Sequence, residues 1–369
     1  MVVVREGSVS MVLPQEGAPT RKLPVFYNPA MKLARDVLVA FFSVVGASSF
    51  RACFPLAGCG VRVFRLLREL PEGVFCDVVA GDINPVAVHW AEKNAERLGL
   101  AKAVQFFRED ARVLLLRERH FDVVDVDPFG SPNPFLDAAV QSLKSKAYLA
   151  VTATDTASLA GAYRGTCRRK YWSRPLSNFL RHEAGLRILV RKVQLVAAQH
   201  GKAAVPVLSY AKEHYYRVMF FVEKSRKGAE DVLREHGVLW CSSQSGEVGF
   251  VKGACFEEGV QTRGRIVGGP LWVGALGDPV VLERAAGAAR GDAASLLSCL
   301  AAEARVGGVV YSSHVLAGVL GVEKAPGWRA IAGGLEKRGF LFARSHLGGE
   351  FFRTNAPFAV VRDVLQGRS

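Results

Sequence analysis

FCDVVAGDINPVAVHWAEKNAERLG, residues 75–99, predicts a short apolar strand that leads directly into a helix. The strand ends at Asp82. Asn84 and Pro85 are residue types preferred at the N-cap and at the first position of a helix. Gly99 then ends the helix, because glycine adopts the left-handed conformation at little cost. A unit of this kind predicts a parallel sheet wherever it repeats along a chain.

The unit repeats from about residue 36 to residue 222. Further strands are predicted in RACFPLAG, AVQFFRED, FDVVDVDP and AYLAVTATD, and further helices in DVLVAFFSVV, VRVFRLLREL and FLDAAVQSLK. Such alternation predicts an α/β fold with a doubly wound, mostly parallel sheet, whose ligand sites lie at the carboxyl ends of the strands. Chemistry is therefore expected at the strand-end residues Gly58, Asp82, Asp110, Asp127 and Asp155.

The pattern changes after residue 222, which predicts two domains. Residues 1–222 are expected to form a Rossmann-like domain, and residues 223–369 a smaller α+β C-terminal domain. Its first part, residues 235–275, is rich in glycine and turns. Residues 280–369 contain helical patterns followed by two strands, which predicts a winged-helix-like module, a shape used to bind nucleic acid.

Net charge indicates the class of partner. The 369 residues include 48 Lys and Arg against 34 Asp and Glu, a formal charge of +14. Residues 1–222 alone carry 30 basic and 19 acidic side chains. Such a surplus predicts a polyanion, either nucleic acid or an anionic membrane surface. No apolar run approaches the ~18–20 residues of a spanning helix, and the first residues do not match a secretory signal, so a cytoplasmic protein without a membrane partner is expected.

Three strand ends predict a cofactor site. Gly58 and Gly60, in LAGCGVR, allow a tight turn beside a helix N-terminus. Asp82 follows Gly60 by 22 residues, the arrangement that binds the two hydroxyls of a ribose. Asp110 ends the next strand, where it can accept a hydrogen bond from an adenine amino group. The glycine pattern lacks the third glycine of a dinucleotide site, which favours S-adenosylmethionine over NAD.

The segment FDVVDVDPFGSP, residues 121–132, predicts the reactive group. An exocyclic amine of a nucleobase is a poor nucleophile, because its lone pair is delocalised into the ring. The carboxylate of Asp127 and the carbonyl of Pro128 can hold its two hydrogens, and the carboxylate can take the proton that leaves. Phe129 offers a ring for the extruded base. Asp125 shares the face of Asp127 by the two-residue strand period, and we expect it to support the site without acting in catalysis.

Residues 164–192 carry nine Lys and Arg against one acid, with Tyr163, Tyr171 and Trp172 interleaved. This mixture is typical of a groove that follows phosphates and unpaired bases, although a solvated helix face is the alternative. The residues predicted to bind nucleic acid here are Arg164, Arg168, Arg169, Lys170 and Arg174.

Cysteine usage predicts neither a disulfide framework nor a metal site. The seven cysteines are odd in number and lack framework spacing. Cys241 and Cys255 are each followed three residues later by Gln244 and Glu258, so neither begins the paired Cys-x-x-Cys motif of a zinc site. No metal is expected.

Taken together, these motifs resemble those of the tRNA guanine-26 N2-dimethyltransferases of the archaeal type. The resemblance covers nearly the whole chain, and DPFGSP (127–132) followed by TATDTA (152–157) is its most specific part. It implies transfer of one or two methyl groups from S-adenosylmethionine to N2 of a guanine in tRNA, usually at position 26. The implied fold is a Rossmann-like methyltransferase domain with a smaller C-terminal domain that assists tRNA binding.

The resemblance also assigns roles to individual residues. Asp127 would be the catalytic acceptor, with Phe26 and Phe129 on either side of the base. The cofactor would be held by Arg35, Arg62, Asp82, Asp110 and the backbone of Ala111. Phe26, Arg35 and Arg62 are implied by the resemblance alone. Many relatives carry two Cys-x-x-Cys pairs before GPLW, and half of each pair is missing here, so 235–275 resembles a degenerate zinc ribbon.

Two alternative functions stay open at this point. One is another amino-methyltransferase, acting on rRNA guanine or DNA adenine; a proline in place of Phe129 would favour the adenine enzymes, and it is absent. The other is an inactive tRNA-binding protein, which the acids Asp82, Asp110 and Asp127 argue against. We expect tRNA as the partner, no obligate protein partner and a monomer.

Overall fold

The computed structural model describes residues 1–14, 23–45, 49–212, 214–253 and 264–368. Its strands are β1 Val2–Glu6, β2 Val9–Leu13, β3 Phe50–Phe54, β4 Phe75–Asp82, β5 Val104–Arg108, β6 Phe121–Val126, β7 Leu143–Ala153, β8 Lys202–Lys212, β9 Tyr215–Lys224, β10 His236–Ser242, β11 Val248–Lys252, β12 Arg265–Trp272, β13 Val309–Ser312, β14 Phe342–Arg344 and β15 Phe351–Thr354. Its α-helices are α1 Lys32–Val45, α2 Val61–Glu69, α3 Pro85–Arg97, α4 Ala111–Glu118, α5 Asn133–Ser142, α6 Thr156–Leu159, α7 Arg164–Tyr171, α8 Arg181–Gln199, α9 Arg226–Arg234, α10 Pro279–Ala288, α11 Gly291–Val306, α12 Ser313–Leu320, α13 Trp328–Glu336 and α14 Phe358–Leu365.

A seven-stranded sheet in the order β5-β4-β3-β6-β7-β9-β8 organises the first 224 residues. The five strands from β3 to β7 are mutually parallel, whereas β9 is antiparallel to both β7 and β8. The predicted α/β fold with a mostly parallel sheet is therefore confirmed. The chain runs outward from β3 to β5 and then returns to β6 on the other side of β3. The carboxyl ends of β3 and β6 thus form a topological switch point, where ligand clefts open in such sheets.

Both faces of the sheet are covered. Adjacent strand residues belong to different core clusters: Val123 and Ala150 pack in one, Val124 and Leu149 in the other. Side chains on a strand alternate between its two faces, so each cluster lies on one side of the sheet. This explains why the strand segments are apolar without alternation, as expected when both faces are buried.

The chain beyond β9 forms two three-stranded sheets, β11-β10-β12 and β13-β15-β14, together with helices α9 to α14. Helices α10 and α11 pack against α1, and β12 packs against α8. Two helices followed by two strands occur within 280–369, as the sequence indicated; a winged-helix module and a domain boundary at residue 222 stay predictions.

Within the described ranges, no helix combines the length and apolar character needed to cross a membrane. Six of the seven cysteines lie in these ranges, and all six are free thiols. Cys255 and Glu258, which were compared above with the Cys-x-x-Cys motif of a zinc site, lie outside the described residues. The part of the chain that is described holds no group of three or more His, Cys, Asp or Glu placed to bind a metal.

Candidate active site

A cleft of about 630 Å³ opens where the carboxyl ends of β3, β4 and β6 converge. It brings together eight of the predicted cofactor, base and catalytic residues, namely Phe26, Arg35, Gly58, Arg62, Asp82, Asp127, Pro128 and Phe129. Gly60, Asp110 and Ala111 are not among its lining residues. His214 and Tyr215, which had no predicted role, also line it from the β8–β9 hairpin.

The turn after β3 is tied to the end of β4. The Gly58 N–H donates to Oδ2 of Asp82 at 3.0 Å, and the Asn84 N–H donates to Oδ1 of Asp82 at 2.9 Å. Gly60 has a φ of +80°, and a Cβ there would lie 2.7 Å from the ring of Phe64. Gly60 is therefore needed for backbone conformation and packing, while Asp82 keeps lone pairs for a ligand.

Asp110 lies at the N-terminus of α4 instead. Its side chain accepts a hydrogen bond from the Arg112 N–H at 2.8 Å and pairs with the Arg112 guanidinium at 2.8 Å. The bonds from Arg112 lower the pKa of Asp110 to about 2. Ala111 is buried and begins the helix. Asp110 thus acts as an N-cap in this structure.

A buried carboxylate in β1 positions Arg35. Glu6 is 3% exposed and accepts hydrogen bonds from Arg35 Nε at 2.6 Å, Arg65 Nη1 at 3.1 Å and the Tyr27 hydroxyl at 2.8 Å. Burial opposes ionisation of Glu6, but the bond and charge of Arg35 outweigh it, so the pKa of Glu6 is lowered. Burial and Glu6 together raise the pKa of Tyr27 to about 12. Arg35 is held at the cleft wall by a charge that sequence reasoning missed.

The most buried charges at the site belong to Asp125 and Arg217, which are 2% and 1% exposed. Arg217 donates from Nη1 and Nη2 to the two oxygens of Asp125 at 2.8 and 2.7 Å, and from Nη1 to Thr152 Oγ1 at 2.7 Å. Burial opposes ionisation of Asp125, yet the charges of Arg217 and Arg62 outweigh it and lower its pKa. The sequence analysis assigned no role to Arg217. The feature that could have identified it is a single arginine inside the otherwise uncharged strand segment YYRVMFF, residues 215–221.

Arg62 connects this pair to the predicted catalytic group. Its Nη1 donates to Asp125 Oδ2 at 2.9 Å, and its Nη2 forms an ion pair with Asp127 Oδ2. The Asp127 side chain is 23% exposed, so it faces the cleft and is accessible. In this structure the guanidinium of Arg62 is thus occupied by two carboxylates, while it also lines the cleft.

The loop after β6 carries Phe129 and is fixed to the end of β7. The Gly130 N–H donates to Thr154 Oγ1 at 2.6 Å, and the Thr154 N–H donates to the Gly130 carbonyl at 2.9 Å. Phe129 is 48% exposed. Its ring meets Phe26 edge to face, with centroids 4.4 Å apart and planes at 80°. The two predicted base-binding rings are therefore adjacent, and they contact each other directly.

Five exposed cations lie around α7, and we call them the basic surface: Arg164, Arg168, Arg169, Lys170 and Arg174. Of the other four cations of residues 164–192, Arg181 is exposed, Arg191 is partly buried, and Arg187 and Lys192 are buried. Arg187 is buried against Glu183 at 2.8 Å, and Lys192 is 6% exposed. The predicted groove therefore does not include Arg187 and Lys192, because α8 turns these two side chains into the core.

Comparisons with known proteins match the whole chain. The family model described as N2,N2-dimethylguanosine tRNA methyltransferase matches residues 7–366. A protein of Methanothermobacter thermautotrophicus named tRNA (guanine(26)-N(2))-dimethyltransferase is 37% identical, over 100% of this chain and 99% of that protein. A Pyrobaculum calidifontis protein of the same name is 35% identical, over 99% and 98%.

A solved structure agrees with these sequence matches. Trm1 from Pyrococcus horikoshii, in complex with S-adenosyl-L-methionine, superposes with a TM-score of 0.87 at 26% identity, covering 99% of this chain and 100% of that one. Fold, cleft and full-length sequence similarity all agree. The chain belongs to the N2,N2-dimethylguanosine tRNA methyltransferase family.

Proposed function

We propose that this protein transfers one or two methyl groups from S-adenosylmethionine to the exocyclic N2 of guanine 26 in tRNA. Family membership and the names of the full-length relatives support the reaction class. The observation that carries the proposal is the position of Asp127, Pro128 and Phe129 at the carboxyl end of β6, in the same cleft as Gly58 and Asp82.

The cleft suits the proposed cofactor. Its volume of about 630 Å³ lies within the usual range for small-molecule sites, and Ile83 and Ala87 line it beside Asp82. Within the described residues, a Cβ on Gly58 would meet one atom, the backbone oxygen of Phe26 at 3.5 Å, so this part of the turn leaves space for a ligand. Asp82 would bind the ribose hydroxyls, and Arg35 and Arg62 offer cations for the carboxylate of the methionine part. Gly60, Asp110 and Ala111 do not line the cleft. We propose that they also contribute to binding of the cofactor.

When bound, the cofactor supplies an electrophilic methyl group. Oδ2 of Asp127 is engaged by Arg62, and no protein group in the described ranges bonds its Oδ1. Oδ1 and the carbonyl oxygen of Pro128 would accept the two N–H groups of the guanine amine, which turns the nitrogen lone pair toward the methyl donor. As the nitrogen forms its new bond to the methyl carbon, the bond from that carbon to the sulfonium sulfur would break and leave its electron pair on sulfur. The nitrogen would then lose one proton, and Asp127 would be the acceptor.

The base would enter between Phe26 and Phe129. A base stacked between two rings needs about 7 Å between them, two contacts of ~3.5 Å. The centroids are 4.4 Å apart, so the rings must separate when the base arrives. Phe129 is the more exposed of the two rings, at 48%.

The basic surface would bind the tRNA phosphates. It lies on the part of the chain with the larger charge surplus, and residues 223–369 would assist. One chain carries both the cleft and the basic surface, so we propose that it acts as a monomer, in the cytoplasm where tRNA is found.

Transfer of tritiated methyl groups from S-adenosylmethionine to an unmodified tRNA transcript tests this proposal. We expect incorporation that is lost when guanine 26 is changed to adenine. Incorporation that survives this change would contradict the assignment to position 26. Binding of tRNA without any incorporation would favour the inactive binding protein.

A further inference from the structure

Trp172 follows the last residue of α7 and has an unusual backbone. Its φ of 54° and ψ of 41° place it in the left-handed region, which bulky residues rarely adopt. Two hydrogen bonds hold it there: its N–H donates to the Arg168 carbonyl at 3.1 Å, and its carbonyl accepts from Arg191 Nη1 at 3.3 Å. Strain that the surroundings maintain in this way is a reason to look for a function.

The effect of this backbone is to present the indole to solvent. Trp172 is 55% exposed, although tryptophan is usually well buried. Lys192 Nζ lies 3.1 Å from the ring centroid, so an ammonium group covers one face of the indole. Burial, with a contribution from Arg191, lowers the pKa of Lys192 to about 8. The indole is thus fixed from one side and accessible from the other.

The surroundings of the indole indicate what would stack on it. The basic surface includes Lys170 and Arg174, each two residues away, so a ligand here is expected to carry negative charge. A nucleotide supplies both a flat π-face and a phosphate. Stacking of bases on aromatic rings inside a positively charged groove is how proteins bind unpaired nucleotides, regardless of base identity.

The two residues that precede Trp172 contact the loop that carries Phe129. The hydroxyl groups of Tyr171 and Ser131 are 2.9 Å apart, and Asn133 Nδ2 donates to the Lys170 carbonyl at 2.8 Å. Tyr171 is fully buried, and its hydroxyl donates to Asp155 at 2.6 Å. The end of α7 is therefore attached to the Phe129 loop by one half-buried and one exposed hydrogen bond, and Trp172 is the next residue along the chain.

We propose that Trp172 is a stacking platform for an unpaired base of the tRNA that neighbours the methylated guanine. This inference rests on the proposed function, because it takes tRNA as the ligand. Extruding one base from a stack leaves its neighbours without a partner on one side. The indole replaces that missing partner, and the basic surface binds the phosphates on either side.

Three variants test the platform. Trp172→Ala removes the ring, Trp172→Phe keeps a stacking ring without the indole, and Trp90→Phe is the matched control. Trp90 lies on α3 with Lys93 Nζ 5.4 Å from its ring centroid, so it has a lysine over its ring but lies outside the basic surface. Each variant is titrated with the unmodified tRNA transcript, by filter binding and by tryptophan fluorescence.

We expect Trp172→Ala to weaken tRNA binding by about 5- to 150-fold, the equivalent of ~1–3 kcal/mol for one stacked base. Trp172→Phe should bind tRNA with an affinity close to that of the wild-type protein but lose the quenching that tRNA causes. Trp90→Phe should keep that quenching. An unchanged tRNA affinity in Trp172→Ala, or full quenching in Trp172→Phe, would overturn the platform; the second readout holds even if Trp172→Ala does not fold.

Methyl transfer by the wild-type protein separates this inference from the proposed function. If the wild-type protein methylates tRNA and Trp172→Ala binds normally, only the platform is wrong. If tRNA quenches Trp172 but no methyl group is transferred, stacking of a tRNA base on Trp172 is supported and the proposed activity is wrong. If the wild-type protein does not bind tRNA, both are overturned.

Discussion

Arg62 bridges Asp125 and Asp127, because its Nη1–H donates to Asp125 Oδ2 and its Nη2–H donates to Asp127 Oδ2. The two acids are two residues apart in sequence, so a strand period places them on the same face of the sheet. A planar guanidinium holds its partners in a defined geometry. Asp127 is therefore oriented before any substrate arrives. The buried ion pair between Asp125 and Arg217 holds Asp125, and through it Arg62, in place.

Replacing Asp127 with asparagine should reduce kcat by about 10²- to 10⁴-fold, because the side chain keeps its size but loses the ability to accept a proton. Affinity for S-adenosylmethionine, measured by calorimetry, should stay unchanged. Asp137→Asn, on an exposed position of α5, is the control and should leave kcat unaltered. Wild-type rates in Asp127→Asn would remove Asp127 from the mechanism.

Replacing Phe129 with alanine should lower kcat/KM for tRNA by about 5- to 150-fold, because one face of the bound base loses its aromatic partner. Phe129→Tyr should keep most of the activity, since it preserves the ring. Cofactor affinity serves as the control for correct folding. A loss of cofactor binding equal to the loss of kcat/KM would contradict a role in base stacking.

Changing Arg168, Arg169 and Lys170 to glutamine should weaken tRNA binding and flatten its dependence on salt. Removing one cation that neutralises a phosphate lowers the slope of log K against log salt by about 0.7–0.9, so the slope of the triple variant should be shallower by up to ~2–3. The matched control changes Lys93, Arg97 and Lys102, three exposed cations outside the basic surface. Equal slopes in the two triple variants would show that net charge, and not this surface, determines binding.

Replacing Arg217 with methionine should destabilise the protein by about 3–5 kcal/mol, because Asp125 would stay buried with part of its charge uncompensated. The free energy of unfolding in urea measures this loss. The double change Asp125→Asn with Arg217→Met should recover a large part of the stability, since no buried charge is left without its partner. A double variant that is less stable than Arg217→Met would show that the stability lost in Arg217→Met does not come from an uncompensated charge on Asp125.

Acidification should destabilise the protein through Glu183, which is 1% exposed and pairs with Arg353 at 2.6 Å and Arg187 at 2.8 Å. Burial opposes its ionisation, but the charges of Arg353 and Arg187 outweigh it and lower its pKa to about 2. A depressed pKa contributes stability that is present above the unfolded value of ~4.3 and is lost as pH falls toward 2.

Urea unfolding of the wild-type protein between pH 5 and pH 3 should therefore show stability falling with pH. Glu183→Gln should have a shallower slope, because its side chain does not titrate. Glu96→Gln, an exposed position on α3, is the control and should keep the wild-type slope. A Glu183→Gln variant with the wild-type slope would show that other carboxylates cause the pH dependence.

Residues at strand ends were predictable from the sequence. Asp82 and Asp127 follow apolar strand segments, and the sheet brings both into one cleft because the carboxyl ends of parallel strands meet at one edge. Asp110 obeys the same rule but lies outside the cleft lining, engaged by Arg112. A strand-end position therefore identifies candidates, while the local hydrogen bonds decide which way a carboxylate faces.

The charges that support the site could not be assigned by local pattern. Glu6 reaches Arg35 and Arg65 across 29 and 59 residues, and Arg217 reaches Asp125 across 92. No sequence period relates such partners, because their proximity depends on the packing of β1 and β9 against the rest of the fold. The direct contact of Phe26 with Phe129 belongs to the same class, since it joins two loops that are distant in sequence.

Nucleoside mass spectrometry of tRNA treated with the wild-type protein and S-adenosylmethionine tests the central claim most directly. We predict N2-methylguanosine or N2,N2-dimethylguanosine in the nuclease fragment that contains position 26, and initial rates of formation of both nucleosides about 10²- to 10⁴-fold lower with Asp127→Asn. Methylation on another base, on a ring nitrogen of guanine, or at N2 with Asp127→Asn as active as the wild-type protein would contradict the account.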